Sequence, residues 1–189
     1  VSMAPNGEVS GLRTALAMGA AKAILVSDDA LAGSDALGTA KVLAKAIQRV
    51  EGADLVLTAT ESSDGYTGTV PEQIAGLLDL PSVTFAKSIS VEGSTVKIQR
   101  QTEAGYDDVE CPLPALVSVT AGVVEPRYPS FKGIMAAKKK TIDSRDLASV
   151  GVSAEPAWSL VADSAPRPPR AAGVKVSDEG NGGNDLVKF

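Results

Sequence analysis

The first eighty residues alternate short apolar runs with amphipathic segments. Residues 36–50 place apolar side chains three and four positions apart, with lysine or arginine on the opposite side, which is the pattern of a helix with one buried face. Runs of three or four apolar residues between such segments are typical of buried strands. This alternation predicts parallel βαβ units with helices on both faces of a sheet. In chain order we expect a strand ending at 1–3, a helix over 12–19, a strand at 23–26, a helix over 36–50, a strand at 55–57 and a helix over 70–78.

The pattern changes after residue 80. Residues 88–91 and 95–99 alternate apolar and polar positions around a Glu-Gly-Ser turn at 92–94, which predicts an antiparallel hairpin. Residues 109–121 predict a further apolar strand, interrupted by two prolines.

The last third of the sequence loses this periodicity. From residue 124 the chain is basic and loop-like, and from residue 154 it is rich in Pro, Ala, Ser and Gly. Such a composition cannot bury enough apolar surface to fold by itself. The tail is therefore either a disordered linker or an arm that lies on a partner, and composition alone favours the linker.

Composition limits the chemistry that this chain can carry. Of 189 residues, 44% are hydrophobic, enough for a buried core. The absence of histidine excludes a Ser-His-Asp triad, a His-ligated zinc and a His general base. The single cysteine, Cys111, excludes an intramolecular disulfide and an all-thiolate iron-sulfur cluster held by this chain alone. Carboxylate, hydroxyl or lysine chemistry remains, or none, and we assign no catalytic and no metal-binding residue.

The charge is unevenly distributed. Residues 1–120 hold 8 basic and 15 acidic side chains, a net −7, whereas residues 121–189 hold 10 and 8, a net +2. This balance disfavours nucleic-acid binding, which needs a broad basic surface. The sequence shows neither a membrane span nor a signal peptide, and with one thiol we expect a cytoplasmic protein.

The polar loop at 58–69 is a candidate ligand site. It follows a predicted strand and precedes a predicted helix, the edge at which ligands bind in open α/β sheets. Gly65 and Gly68 allow the backbone to approach an anion closely, and Ser62, Thr67 and Thr69 add hydroxyl donors. Phosphate or nucleotide binding is one interpretation, although the loop matches neither a P-loop nor a dinucleotide fingerprint.

A second interpretation of the same loop is local. Asp64 and Gly65 suit a simple turn, while Thr69 and Glu72 have the spacing of a capping box. The two interpretations are compatible, because the cap lies at one end of the loop. Glu61 and Asp64 could also form an acid/base pair, but a solvated turn fits better in the absence of a base partner.

Residues 125–140, which we call the docking segment, are a second candidate. They carry one acidic and five basic side chains, a local +4, and include Tyr128, Phe131, Ile134 and Met135. The lysines suit a solvated helix end and the apolar residues suit an ordinary core. An aromatic side chain in a proline-bounded, lysine-flanked loop equally suits a partner interface. The residues alone leave both interpretations open.

These sequences resemble the small (beta) subunit of electron-transfer flavoproteins. The most specific block is "EPRYPSFKGIMAAKKK" at 125–140, preceded by "LPALVSV" at 113–119. The resemblance extends over essentially the whole chain in the family's order, through "LRTALAMGAAKAI" at 12–24, "AKVLAKAIQRVEGADLVL" at 40–57, "ESSDGYTGTVPEQIAGLLDLP" at 61–81 and "AAGVKVSDEGNGGND" at 171–185.

The resemblance implies a fold and two cofactors. The fold is a Rossmann-like α/β domain of the adenine nucleotide alpha hydrolase-like type, with a parallel sheet, an antiparallel hairpin and an extended C-terminal arm. Family members are heterodimers in which the alpha subunit holds redox-active FAD and the beta subunit binds AMP. The residues implied for AMP are Met3, Ala59, Thr60, Glu61, Ser62, Asp64, Gly65, Thr67, Gly68, Thr69 and Val70.

The resemblance also implies partners. Residues 1–145 would form the nucleotide-binding domain, and residues 146–189 would form an arm that contacts the alpha subunit. The resemblance thus favours the arm over the disordered linker that composition alone favours. The docking segment would contact acyl-CoA and other flavoprotein dehydrogenases, with no turnover by this chain itself. The residues implied for docking are Arg127, Tyr128, Phe131, Ile134, Met135 and Lys138.

The sequence departs from the family pattern in three respects. The family's first strand and following helix have no counterpart, the last helix stops at Phe189, and Ala59 occupies a position that is often glycine. We therefore expect the chain alone to bind AMP weakly and to expose apolar surface. Two alternatives stay open: a beta subunit of the bifurcating type, with a second FAD in place of AMP, and a stand-alone adenine-nucleotide sensor.

Overall fold

The structure is a computed structural model, and it describes residues 1–173, 175 and 178–188. Strands and helices alternate as far as α3, after which four strands follow one another before the chain returns to helix. The elements are β1 (Ser2–Met3), α1 (Ser10–Ala17), β2 (Ile24–Val26), a 3-10 turn (Asp29–Leu31), α2 (Ala36–Gln48), β3 (Leu55–Ala59), α3 (Val70–Leu78), β4 (Ser82–Glu92), β5 (Thr95–Thr102), β6 (Gly105–Pro112), β7 (Ala115–Val119), α4 (Phe131–Lys139), β8 (Asp143–Arg145), α5 (Leu147–Val150) and α6 (Gly182–Val187).

The strands of the described residues form two sheets. The smaller has the order β1-β2-β8 and is parallel throughout. The larger has the order β3-β7-β4-β5-β6, in which β3, β7 and β4 are parallel and β5 and β6 are antiparallel additions. The predicted mixed α/β architecture with parallel strands is confirmed, but the strands divide between two hydrogen-bonded sheets, since no ladder joins β1 to β3 in the described part of the chain.

Helix α2 packs against both sheets. Val42 and Ala46 lie in the core cluster with Val26 of β2. Ala40 and Ala44 lie in the cluster that contains Val56 of β3, Leu116 of β7 and Ile74 of α3. Two pairs of residues spaced four apart, Val42 with Ala46 and Ala40 with Ala44, thus pack α2 against the two sheets.

The predicted strand over 109–121 is two strands. β6 ends at Pro112 and β7 begins at Ala115, with a cis Leu113-Pro114 bond between them. Proline has no N–H to donate to a ladder, so it lies at strand ends. β6 pairs with β5, whereas β7 lies between β3 and β4.

The segment expected to be loop-like from residue 124 contains helix α4. Ser130 is its N-cap, and the Ser130 hydroxyl accepts a hydrogen bond from the Gly133 N–H at 3.1 Å. Ala137 packs against Leu16 of α1 and Ala23. The helix therefore forms because it has a cap and one face to bury, although the charges and prolines around it obscure that pattern.

The predicted arm begins within the packed core. Leu147 and Val150 of α5 are buried beside Val26, so the first residues after the predicted boundary at 145 belong to the α/β core. Residues 153–170 follow without regular secondary structure, and we call them the extended segment. Val174, in the family-like run at 173–175, lies outside the described residues. Within the described range no helix has the length and apolar character to cross a bilayer.

Strand β4 contains a bulge that a buried hydroxyl supports. Phe85 has a φ of +58°, which residues other than Gly, Asn and Asp rarely adopt. The strand's register against β7 shifts at this point. Ser118 is 1% exposed, and its hydroxyl accepts the Phe85 N–H at 3.1 Å. This one bond satisfies a backbone donor that the bulge removes from the ladder.

We expect Ser118→Ala to destabilise the fold by about 1–3 kcal/mol, because it leaves that donor unpaired. The measurement is the free energy of unfolding in denaturant. Ser90→Ala, at an exposed position of the bulged strand β4, is the control and should change little. Equal free energies for the two variants would show that the Ser118 hydroxyl does not support the bulge.

Candidate functional site: the carboxyl edge of the parallel strands and helix α4

Two parallel strands, β3 and β7, end side by side at one edge of the larger sheet, and β4 passes beside them. Ala59 at the end of β3 is in register with Val119 at the end of β7, and Val119 is in register with Ala86 of β4. The loop at 60–69 and the loop at 120–130 therefore leave neighbouring strands at the same edge. In parallel sheets this edge is the usual place for a ligand.

The 60–69 loop is open to solvent. Residues 61–69 are exposed, while Thr60 and Val70 at its two ends are half-buried. Gly68 has a φ of +65°, a conformation in which a side chain is strained. A Cβ on Gly68 would lie 3.6 Å from Oε2 of Glu61, so the two ends of the loop approach each other at this glycine.

Asp64 acts as a hydrogen-bond acceptor within the loop. Its Oδ1 accepts the Gly65 N–H at 2.7 Å. Hydrogen bonds from the Ser62 hydroxyl and from the Gly65 backbone hold the pKa of Asp64 below its usual range. The hydrogen bond from the Gly65 N–H is the contact expected of a turn, so the geometry favours the turn interpretation of Asp64 over the acid/base one.

The predicted capping box does not form. Thr69 is the N-cap residue of α3, but its side chain makes no capping hydrogen bond. The carboxylate of Glu72 accepts a hydrogen bond from the Ser82 hydroxyl at 2.7 Å instead of reaching back to the cap. The Thr69 hydroxyl is consequently not used by the helix end.

Two buried polar atoms flank the loop without a partner. They are Oγ1 of Thr58, in β3, and Oε1 of Gln73, in the first turns of α3. Buried polar atoms are normally hydrogen-bonded, so each unpaired one requires an explanation. Sequence reasoning did not select either residue, because only the packed structure shows that their polar atoms are removed from solvent.

Met3 is placed differently from the other predicted nucleotide residues. It ends β1 in the smaller sheet and packs against the cluster around Val26 and Val42. Among the described residues, no hydrogen bond or shared core cluster joins Met3 to the loop. Residues 59–70, in contrast, form one continuous segment at the sheet edge.

The docking segment presents its large apolar side chains to solvent. Tyr128 is 89% and Phe131 78% exposed, and Ile134 and Met135 of α4 are about half as exposed. Arg127 and Lys138 are exposed as well. The aromatic residues therefore do not belong to a core of this chain. Together with Arg127 and Lys138, they give the docking segment exposed side chains that are both apolar and basic.

Contacts with α1 fix the position of α4. A Cβ on Gly133 would lie 2.7 Å from the carbonyl oxygen of Ala17, so the two helices approach with no room for a side chain. Nη1 of Arg13 donates to the carbonyl oxygens of Ala137 at 2.7 Å and Lys140 at 2.5 Å. A cation at these terminal carbonyls also interacts favourably with the helix dipole.

Comparison with known proteins identifies the family. Residues 1–150 match the electron transfer flavoprotein domain. The electron transfer flavoprotein subunit beta of Mycobacterium leprae is 45% identical over 190 aligned residues, which cover 98% of this chain and 71% of the relative. The chain belongs to the electron transfer flavoprotein beta-subunit family. The resemblance inferred from the sequence blocks is thereby confirmed.

Two further relatives extend the comparison. The subunit beta of Mycobacterium tuberculosis strain H37Rv is 44% identical with the same coverage of both chains. A subunit of the caffeyl-CoA reductase-Etf complex of Acetobacterium woodii is 38% identical over 155 residues, which cover 82% of this chain and 59% of the relative. As a beta subunit, the chain is one component of an electron-transfer assembly with an alpha subunit.

We expect Gly133→Ala to lower the free energy of unfolding by about 1–3 kcal/mol, because the added methyl group meets the α1 backbone and forces α4 to move. Gly11→Ala is the matched control, since Gly11 lies in α1 with nothing within 4 Å of its Cβ position. That control should be neutral or stabilising by up to about 1 kcal/mol. If both variants unfold at the same denaturant concentration, the close α1–α4 contact does not determine the position of α4.

Proposed function

We propose that this chain binds AMP in its 60–69 loop and docks dehydrogenases through its docking segment, without catalytic turnover of its own. The observation that carries the nucleotide site is the position of the loop at the carboxyl edge of β3, flanked by the unpaired polar atoms of Thr58 and Gln73. Family membership supports AMP as the nucleotide and a Rossmann-like fold as its frame. The residues proposed to contact it are those named from the resemblance.

Neutral donors would hold the phosphate. The sequence contains no lysine or arginine between Arg49 and Lys87, and the loop carries Glu61 and Asp64. Within the loop itself, the groups that can bind a phosphate are backbone N–H groups, hydroxyls and the N-terminal end of α3. The Thr67 hydroxyl and the Thr69 hydroxyl, which does not cap α3, are suitable donors. Gly65 and Gly68 let the backbone come close.

FAD, held mainly by the alpha subunit, supplies the electron transfer in this proposal. The residues of this chain position that subunit and select the dehydrogenase. Phe131 and Tyr128 are the exposed anchors, and Arg127, Ile134, Met135 and Lys138 surround them. An exposed aromatic side chain among basic residues suits a partner with an apolar pocket and an acidic rim. The arm, including the extended segment at 153–170, would contact the alpha subunit.

One observation favours a second candidate at the same loop. A relative with 38% identity is named as a subunit of a caffeyl-CoA reductase-Etf complex, so the family includes subunits that assemble with a CoA-thioester reductase. A second FAD in place of AMP is the corresponding alternative for this chain. The stand-alone nucleotide sensor fits less well, because it gives no role to the exposed Tyr128 and Phe131.

Replacement of Gly68 by valine should empty the nucleotide site. Valine at a φ of +65° is strained by about 1–3 kcal/mol and its side chain enters the space between the ends of the loop. We would denature the purified heterodimer and identify the released nucleotide by chromatography and mass spectrometry. The parent protein should release AMP, and Gly68→Val should release far less.

Gly52→Val controls for the strain, since Gly52 has a φ of +69° and open space around its Cβ position. This control should retain its nucleotide. Full AMP occupancy in Gly68→Val would exclude the loop as the site. FAD in place of AMP would establish the second candidate.

Replacement of Phe131 by alanine should weaken dehydrogenase docking. Loss of an exposed aromatic anchor at an interface commonly reduces affinity by about tenfold or more. The measurement is the rate of electron transfer from an acyl-CoA dehydrogenase to the purified heterodimer, with FAD content determined in parallel. Tyr106→Ala, at a 60% exposed position of β6, is the matched control. A rate in Phe131→Ala equal to that of the control would remove Phe131 from the proposed interface.

A further inference from the structure

Among the described residues, the extended segment makes its ion pair and hydrogen bonds with the domain at one short stretch, residues 155–159. Its residues are exposed except Ala157, which is half-buried. Around this alanine, the segment makes two kinds of contact with α2. Nζ of Lys41 pairs with Oε2 of Glu155 at 2.5 Å, and the backbone N–H groups of Trp158 and Ser159 donate to the side chain of Asp35.

Asp35 serves two elements with its two carboxylate oxygens. Oδ1 accepts the Gly38 N–H at 2.8 Å and so caps α2. Oδ2 accepts the N–H of Trp158 at 2.7 Å and that of Ser159 at 3.3 Å. An N-cap needs only one acceptor oxygen. The second oxygen is therefore available for a segment that follows 123 positions later in the chain.

The ionisation state of Asp35 agrees with its role as acceptor for both elements. Hydrogen bonds from Gly38 and then from Trp158 hold the pKa of Asp35 below its usual range, so the group is ionised at neutral pH. A charged acceptor makes stronger hydrogen bonds than a neutral one. The Lys41–Glu155 ion pair is partly exposed and contributes less. Asp35 is thus the principal attachment.

Fastening the segment by its backbone leaves its apolar side chains free. Trp158 is 87%, Leu160 79% and Val161 86% exposed. Such a run of large apolar side chains in water is unfavourable unless another surface covers it. Under the proposed function, that surface belongs to the alpha subunit.

We propose that Asp35 is a positioning residue for the arm, because it caps α2 and fastens residues 158 and 159, and thereby sets the point from which the apolar residues 158–161 reach the alpha subunit. This inference rests on the proposed pairing of the arm with that subunit. The attachment of residues 158 and 159 to Asp35 involves this chain alone and does not depend on that pairing.

Asp35→Asn separates the two roles of the side chain. Asparagine caps helices as well as aspartate does, but it has one acceptor oxygen, and its NH₂ group cannot accept from Trp158 and Ser159. We expect the unfolding midpoint to be unchanged and the amide hydrogen exchange of Trp158 and Ser159 to accelerate by about tenfold to a hundredfold, the loss expected for hydrogen bonds to a charged group. Fluorescence anisotropy of Trp158, the only tryptophan, should fall.

Three further variants complete the test on the full chain. Asp35→Ala should lower the unfolding midpoint as well, since it removes the cap. Asp146→Asn, at the cap of α5, changes the same charge and should leave residues 158 and 159 unaffected. Lys41→Gln should accelerate exchange less than Asp35→Asn does. Unchanged exchange at 158 and 159 in Asp35→Asn would overturn the attachment.

The second measurement is the affinity for the alpha subunit. We expect Asp35→Asn to bind it several-fold more weakly than Asp146→Asn does. Equal affinities, with faster exchange at 158 and 159, would overturn the positioning role. Failure of the parent chain to bind the alpha subunit would instead refute the proposed pairing, and the exchange measurement would still decide the attachment.

Discussion

The arrangement of this chain depends on the packing of α2 between two sheets that share no hydrogen-bonded ladder within the described residues. Val42 and Ala46 face the smaller sheet, and Ala40 and Ala44 face the larger one. Alanine at three of these four positions allows the helix to approach both sheets closely. Because the burial of apolar surface is the main favourable term in folding, this helix is the element that makes one core of two sheets.

Both candidate surfaces depend on that core. The 60–69 loop is placed by β3 and α3, which pack against Leu116 and the Ala40 side of α2. The docking segment is placed through α1, whose Ala17 carbonyl fits against Gly133. The extended segment is attached to the start of α2 itself, at Asp35.

The sequence predicted the elements whose causes are local. Helix α3 has the predicted bounds because its apolar period is regular and Pro71 lies in its first turn. The hairpin of β4 and β5 turns at the predicted glycine, since Glu92 pairs with Thr95. The features that were missed have distant causes. The carboxylate of Glu72 accepts a hydrogen bond from Ser82 instead of forming the capping box. Helix α4 is stabilised by packing against α1. The two oxygens of Asp35 likewise could not be assigned without knowing where residue 158 lies.

The most direct test of the proposed AMP site is the nucleotide content of the purified complex between this chain and an alpha subunit. The complex would be denatured, and AMP and FAD would be quantified against protein. We expect a stable heterodimer that releases AMP and FAD in equal amounts. A complex that releases FAD alone, or a chain that forms no complex with an alpha subunit, would contradict it.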